Sequence, residues 1–294
     1  MPFNDNGTNT RRFGAHLSLS RWKPIIVIAI PPIAMIALQI ALFQVAGLID
    51  GSSGQSGKVT PLQLLAVNLS MSLTGLLAVP LIARLANVPW RVVLSYPRKF
   101  DRRRLAVYLL WALLFTVLGN AGLATFALDH TPWVGFGITG TTIALLVVIL
   151  LTTPFTAAAE ELMFRGAMMP AVASWVRPER LALGSGAVVS SFVFAASHFA
   201  SDPWLFGYHV FLGLATAVMA IRSQGLEAPI AFHVANNAFT AVLNAFLADG
   251  GAFSVERGSG SGGPHLFIPV VFVLATLVVV WVREGRARTA SVNG

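Results

Sequence analysis

Cysteine is absent from the 294 residues. That excludes disulfides, thiolate metal sites and a cysteine nucleophile. Charge is scarce as well: Asp, Glu, Lys and Arg make up 11% of the chain, where soluble domains carry about 25%. Acid is the scarcer sign, with 12 Asp and Glu against 20 Lys and Arg. No His-Glu-x-x-His helix, no Gly-x-Ser-x-Gly elbow and no phosphate-binding glycine loop occurs. Zincins, α/β-hydrolases and P-loop enzymes are therefore not indicated. No internal repeat is evident, which removes the usual mark of a transporter built from related halves.

What the chain has instead is long apolar runs. Hydrophobic residues make up 55% and the mean hydropathy is +0.73. About 20 consecutive apolar residues cross a bilayer as a helix. The runs Ile25–Ile49, Leu62–Ile82, Leu105–Leu128, one starting near Ile138, Leu181–Phe199, Trp204–Ile221, Pro229–Leu247 and Leu266–Val282 predict eight spans. The fold class expected is an all-α, polytopic transmembrane helical bundle. A short interfacial helix is expected around Trp90–Leu94.

The basic residues segregate along this pattern. With Arg165 set aside, 17 Lys and Arg fall in the segments that eight spans place on one side, and only Lys58 and Arg257 on the other. Cytoplasmic loops carry the excess of Lys and Arg, so both termini are expected in the cytoplasm. The same segregation turns the net charge of +8 away from a nucleic-acid partner and toward the lipid bilayer. Four regions follow: residues 1–23, a basic cytoplasmic tail, disordered or on the membrane surface; 24–137, a scaffold half of three spans and a basic interfacial loop; 138–250, a chemical core; and 251–294, a flexible loop, the last span and a basic tail. The chain reads as a multi-pass protein of a bacterial cytoplasmic membrane.

The chemical core earns its label from ionisable groups inside apolar spans. Glu160, Glu161 and Arg165 lie within two turns of the fourth run. Charged side chains near a helix centre cost roughly 2.5–3.5 kcal/mol each in a membrane and are functional by default. Glu161 and Arg165 are i, i+4 neighbours and can pair, whereas Glu160 points about 100° away, without a basic residue at i+3 or i+4. His198 closes Phe194-Ala195-Ala196-Ser197-His198, and alone it reads most simply as bonded to a neighbouring carbonyl. His233 and Asn237, also i, i+4, aim two donors from one helix face. His209 reads as packing or support, and Asn236 as structural.

Glu-Glu-x-x-x-Arg, Phe-x-x-x-His and His-x-x-x-Asn, in that order on successive spans, resemble the CAAX protease and bacteriocin-processing family of intramembrane endopeptidases. Glu160, Glu161 and Arg165, then Phe194 and His198, then His233 and Asn237 carry the resemblance, and Phe164-Arg165-Gly166 extends it. It covers about Thr153 to Ala245. It implies that Glu160 and His198 activate a water, that His233 and Asn237 form an oxyanion hole, and that Glu161 and Arg165 support the site. It implies a peptide or membrane-protein substrate, with prenylated CAAX proteins the eukaryotic precedent. The family has also been described as metalloproteases, and zinc could take Glu160, His198 and His233. Asn is a poor zinc ligand, so the metal-free glutamate mechanism is the reading favoured, with no cofactor.

Two other readings stay open on the sequence: a non-catalytic membrane partner, such as an immunity or scaffold protein, and a proton- or cation-coupled transporter using Glu160. The spans also pose a geometric problem. His198 falls near the outer end of its run and His233 near the inner start of its own. They meet only if a span is interrupted, with Gly184-Ser185-Gly186, Asp202-Pro203 and Ala228-Pro229 as candidate breaks.

Overall fold

The computed structural model describes residues 11–51, 58–255 and 257–293, without the side chains of 288–293. The first ten residues of the expected tail, most of the loop after the first span and the Arg288 side chain lie outside the described residues. The helices are α1 (Lys23–Asp50), α2 (Pro61–Ala86), α3 (Trp90–Leu94), α4 (Arg102–Phe126), α5 (Gly140–Glu161), α6 (Met169–Ala173), α7 (Glu179–Ala196), α8 (Pro203–Ser223), α9 (Glu227–Phe246) and α10 (Phe267–Asn293). A π-helical segment, Leu162–Met168, joins α5 to α6 without a break.

Local chemistry sets several of the helix ends. Thr60 with Gln63, and Thr139 with Thr142, form reciprocal capping boxes at α2 and α5. Asp101 and Asp202 accept the first free N–H groups of α4 and α8. Each supplies partners that a helix start otherwise lacks. α1 and α2 end on Gly51 and Asn87 in the left-handed region, the usual stop for a helix.

Seven helical segments among the described residues are long and apolar enough to cross a membrane. They correspond to every expected span except the seventh. That one is α9, whose 20 residues include Glu227, His233, Asn236, Asn237 and Asn244. α9 packs against α4, α5 and α8. Protein, and not lipid, therefore meets its polar groups, as a polar helix at membrane depth requires. Among the described residues the bundle is thus seven apolar crossings and one polar helix packed against three of them.

The basic loop before α4 locks this polar helix in place. Arg98 donates from both terminal nitrogens to the Glu227 carboxylate, at 2.5 and 2.6 Å, and from Nε to Ser223 O at 3.0 Å. Asp101 N–H adds a bond to Glu227 Oε1 at 2.7 Å. Planar bidentate pairing fixes geometry as well as energy, and Glu227 is fully buried. The first turn of α9, and with it the level of His233, is set by a loop 129 residues earlier at Arg98.

Relative helix lengths dispose of the depth problem. The continuous helical stretch Gly140–Ala173 has 34 residues and α7 has 18, about 51 and 27 Å at 1.5 Å per residue. α7 therefore turns back about half-way along α5. Gly186 marks the alignment, since a Cβ there would sit 2.6 Å from Met169 O. Eight residues on from Gly186 is Phe194, and nine before Met169 is Glu160. The chain then runs irregularly from Ser197 to Asp202 before α8 begins. Asp202-Pro203 is the break that matters, while Gly184–Gly186 and Ala228-Pro229 stay helical. Irregular backbone at depth is tolerated where it lines a cavity.

The N-terminal segment departs from expectation. Residues 11–22 do not lie loose on a surface. Phe13, Ala15, His16 and Leu17 are fully buried. Gly14, at φ 96°, has no room for a Cβ beside Met169. The His16 ring stacks between Phe13 and Tyr96, its Nδ1 accepts from Gly14 N–H at 3.2 Å, and its Nε2 donates to Val92 O at 3.1 Å. Three apolar residues and a histidine among polar ones gave too short a pattern to read as core.

Two outcomes follow from the fold. Reporter fusions after Arg104 and Arg288 should report the cytoplasm, and fusions after His130 and Gly260 the opposite side; an external signal at Arg104 or Arg288 would refute the topology. Burial, opposed by the bond to Val92, pushes His16 down to about 4 from 6.5. The unfolded state binds the extra proton between those values, so stability is full above about pH 6.5 and falls as pH drops toward 4, by about 1.4 kcal/mol per unit at most. The thermal midpoint in detergent should therefore decline from pH 7 to pH 5 more steeply in wild type than in His16→Gln.

Candidate active site

Glu160 and Glu161 are the last two residues of α5. The next seven residues follow π geometry, with Met169 N–H bonded to Phe164 O, and all seven are buried. A π segment re-aims side chains within a helix and often marks a functional site. Here it delivers Arg165 into the bundle interior. Arg165 Nη1 lies 3.3 Å from Glu161 Oε1, and Nη2 donates to Gly213 O at 3.1 Å. The guanidinium carbon stands 4.5 Å from the centre of the Phe194 ring, within cation–π range. Gly213 can offer its carbonyl because α8 approaches closely there: a Cβ would meet Ser191 at 2.7 Å. Gly75 does the same for α2 against Ala159, the residue before Glu160.

The expected Glu161–Arg165 pair is present, and it extends further than the helix spacing indicated. His233 Nδ1 lies 2.7 Å from the same Glu161 Oε1. A carboxylate accepts, so Nδ1 carries the proton. The other ring nitrogen then faces Glu160, with Nε2 3.7 Å from Oε2. Glu160 Oε2 is buried and has no hydrogen-bond partner among the described residues. Two carboxylates, one guanidinium and one imidazole thus form a chain from Gly213 O to the free oxygen of Glu160. The Phe194 ring backs both Arg165 and His233, its centroid 5.9 Å from the imidazole.

A cavity of about 340 Å³ opens beside this chain, within the usual range for a binding pocket. Glu160, His198, His233 and Asn237 all line it. His198 Nδ1 donates to Phe194 O at 2.8 Å, the carbonyl bond expected of a lone helical histidine; its Nε2 remains for the cavity. Asn237 Oδ1 accepts from Asn236 Nδ2 at 3.1 Å, which leaves the Asn237 amide N–H groups as donors. Glu161 and Arg165 sit behind the wall.

Three residues around the cavity escaped the sequence reading. His209, read as packing or support, and Asn236, read as structural, both line it, as does Arg257. The His209 ring is 4.1 Å from that of His198. His209 and Thr216 recur at helical spacing on one face of α8 with Tyr208 and Leu212, a polar stripe that was available as a signal. Arg257 offered none, because it lies in a glycine-rich loop. Among the described residues no three His, Asp or Glu side chains converge as a metal-ligand set. Glu160, His198 and His233 do not meet that requirement as arranged, and no step below runs through a metal.

Apolar helices around a buried carboxylate–histidine site define a multi-pass membrane protein with the makings of a hydrolase. Residues 139–239 match the family model described as type II CAAX prenyl endopeptidase, Rce1-like. That match contains all three motifs and bears out the resemblance to the CAAX protease and bacteriocin-processing family over the segment it covers. The match, which covers about a third of the chain, supports a CAAX-type intramembrane protease in general. The comparison with curated proteins finds no match.

The geometry separates the two carboxylates experimentally. Glu161→Gln strands a buried guanidinium, and should lower stability by about 3–5 kcal/mol, the scale for breaking a buried pair. Glu160→Gln removes only the longer 3.7 Å approach to His233 and should lower the thermal midpoint in detergent much less. Adding Arg165→Met to Glu161→Gln should recover part of the loss. Equal midpoints for the two single variants would contradict the pairing.

Proposed function

We propose that the chain is an intramembrane endopeptidase that hydrolyses a peptide bond of a membrane-associated protein or peptide, in a bacterial cytoplasmic membrane, by a metal-free glutamate mechanism. The observation that carries this reading is the unpartnered Glu160 oxygen in one cavity with His198, His233 and Asn237. A water held between Glu160 and His198 Nε2 gives its proton to Glu160 as its oxygen attacks the scissile carbonyl carbon. The carbonyl oxygen becomes an oxyanion. Asn237 amide N–H, and Nε2–H of a charged His233 ring, donate to it; Glu161, which holds Nδ1–H at 2.7 Å, balances that charge. Collapse of the tetrahedral species expels the amine, which takes the proton from Glu160. Proton and charge are conserved at each step.

The site favours this chemistry for physical reasons. A carboxylate removed from water is a stronger base, and proton transfer from a positioned base contributes about 10²–10⁴-fold. Donors aimed at developing charge in a water-poor site act on the transition state more than on the substrate. Arg165 and Glu161 contribute by fixing His233, without touching the substrate.

The test is single-turnover cleavage of a peptide library in detergent, with metal content measured on the same preparations. Glu160→Gln should abolish cleavage. Asn237→Ala should lower the rate by about 10²–10³-fold, the usual loss of one oxyanion donor, with little change in substrate affinity. Asn237→Asp should be at least as damaging, because it brings an anion to the oxyanion. Stoichiometric zinc, loss of activity with a chelator and an active Asn237→Asp enzyme would overturn the metal-free mechanism. Normal cleavage by Glu160→Gln would overturn the base assignment.

A further inference from the structure

Arg257 lies on the loop between α9 and α10, outside the segment matched to the family, yet it lines the same cavity as Glu160. Backbone bonds seat it there. Ser201 donates to Arg257 O from both N–H and Oγ, at 2.9 and 3.2 Å. Gly260 N–H donates to Asp202 Oδ2 at 2.9 Å, and Asp202 Oδ1 caps α8 through Trp204 and Leu205 N–H. A Cβ at Gly262 would collide with Asp202 Oδ1, so the loop fits closely onto the corner that follows His198. From that seat Arg257 Nη1 donates to His198 O at 2.7 Å.

A guanidinium carries five N–H donors in a planar fork, and among the described residues this one uses a single donor, on His198. No acid among the described residues lies within ion-pair distance of it, Glu160 included. Arg257 is exposed as a residue, but its guanidinium is partly withdrawn from bulk water where it lines the cavity, and the remaining water solvates it while the cavity is empty. A chain filling the cavity displaces that water and leaves a cation in need of an anion. Glu160, deeper in the cavity, repels anions, so an anionic group would be received at the rim and not at the reacting end.

We propose that Arg257 is a specificity-determining residue that receives a carboxylate of the bound peptide, either its C-terminus or an Asp or Glu side chain. This rests on the peptidase reading above. Planar, bidentate pairing is the geometry in which Arg recognises carboxylates. Pairing at the rim orients the peptide, with its carboxylate toward the outer loop and its scissile bond toward Glu160.

The test measures binding, so that it does not depend on turnover. Rhodamine-labelled apolar hexapeptides would be titrated by fluorescence anisotropy against the Glu160→Gln protein in detergent. One ends in a free carboxylate, one in an amide, and one is an amide with an internal Asp. The carboxylate peptides should bind at least tenfold more tightly than the plain amide. Adding Arg257→Gln should shrink that difference below twofold, and Arg257→Glu should invert it. The two carboxylate peptides distinguish a C-terminus from a side chain. A merely structural Arg257, acting through the His198 carbonyl, would weaken all three peptides equally. Equal affinities across the set, or binding of none, would overturn the proposal. Wild-type cleavage of the plain amide with equal affinities would sink the carboxylate site and leave the peptidase standing. Carboxylate-selective binding without any cleavage would do the reverse.

Discussion

A guanidinium buried without a counter-charge is not tolerated, and Arg165 imposes that condition at the centre of the bundle. Isolated ions lose far more on leaving water than most other contacts can return. Every nearby feature answers to this demand. Glu161 supplies the charge, Gly213 a carbonyl, and Phe194 a ring face. The π segment sets the direction in which Arg165 points, and bare glycines on α2 and α8 let their backbones close around it.

The same condition produces the asymmetry between the carboxylates. Glu161 gives Oε1 to Arg165 and His233 together, and its Oε2, also without a hydrogen-bond partner among the described residues, lies behind the cavity wall. Glu160, one residue earlier, turns to the cavity, so that of the two oxygens without a partner among the described residues only its own lines that space. Adjacent acids on a helix diverge by about 100°, and that divergence alone places one behind the wall and the other on it. In the proposed mechanism, structural and chemical roles need no more than one residue of separation. His233 is the link, because its two ring nitrogens face one acid each.

The periphery serves the same centre. The Arg98–Glu227 pair fixes the start of α9, and the buried N-terminal segment packs near Met169 at the far end of the π turn. On the opposite side the loop bearing Arg257 grips the corner after His198. Each motif helix is held at its end by a segment distant in sequence.

Much of this protein was legible without coordinates. The seven membrane-length apolar helices among the described residues follow from run length, since a bilayer admits few other ways to satisfy the backbone. The Glu161–Arg165 pair follows from i, i+4 geometry, and the motif residues follow from the cost of placing charge among apolar residues. Those properties are local, and sequence carries local properties. The tertiary structure alone decided what depended on relative levels and on contacts between distant segments. The level of His198 came from α7 being shorter than the helix it packs against, a difference no single run discloses. The bond from His233 to Glu161 joins residues 72 apart, and no spacing rule reaches across separate helices. Burial of Phe13 to Leu17 and delivery of Arg257 to the cavity depend on loops, whose paths are set by the surfaces they meet and not by their own composition.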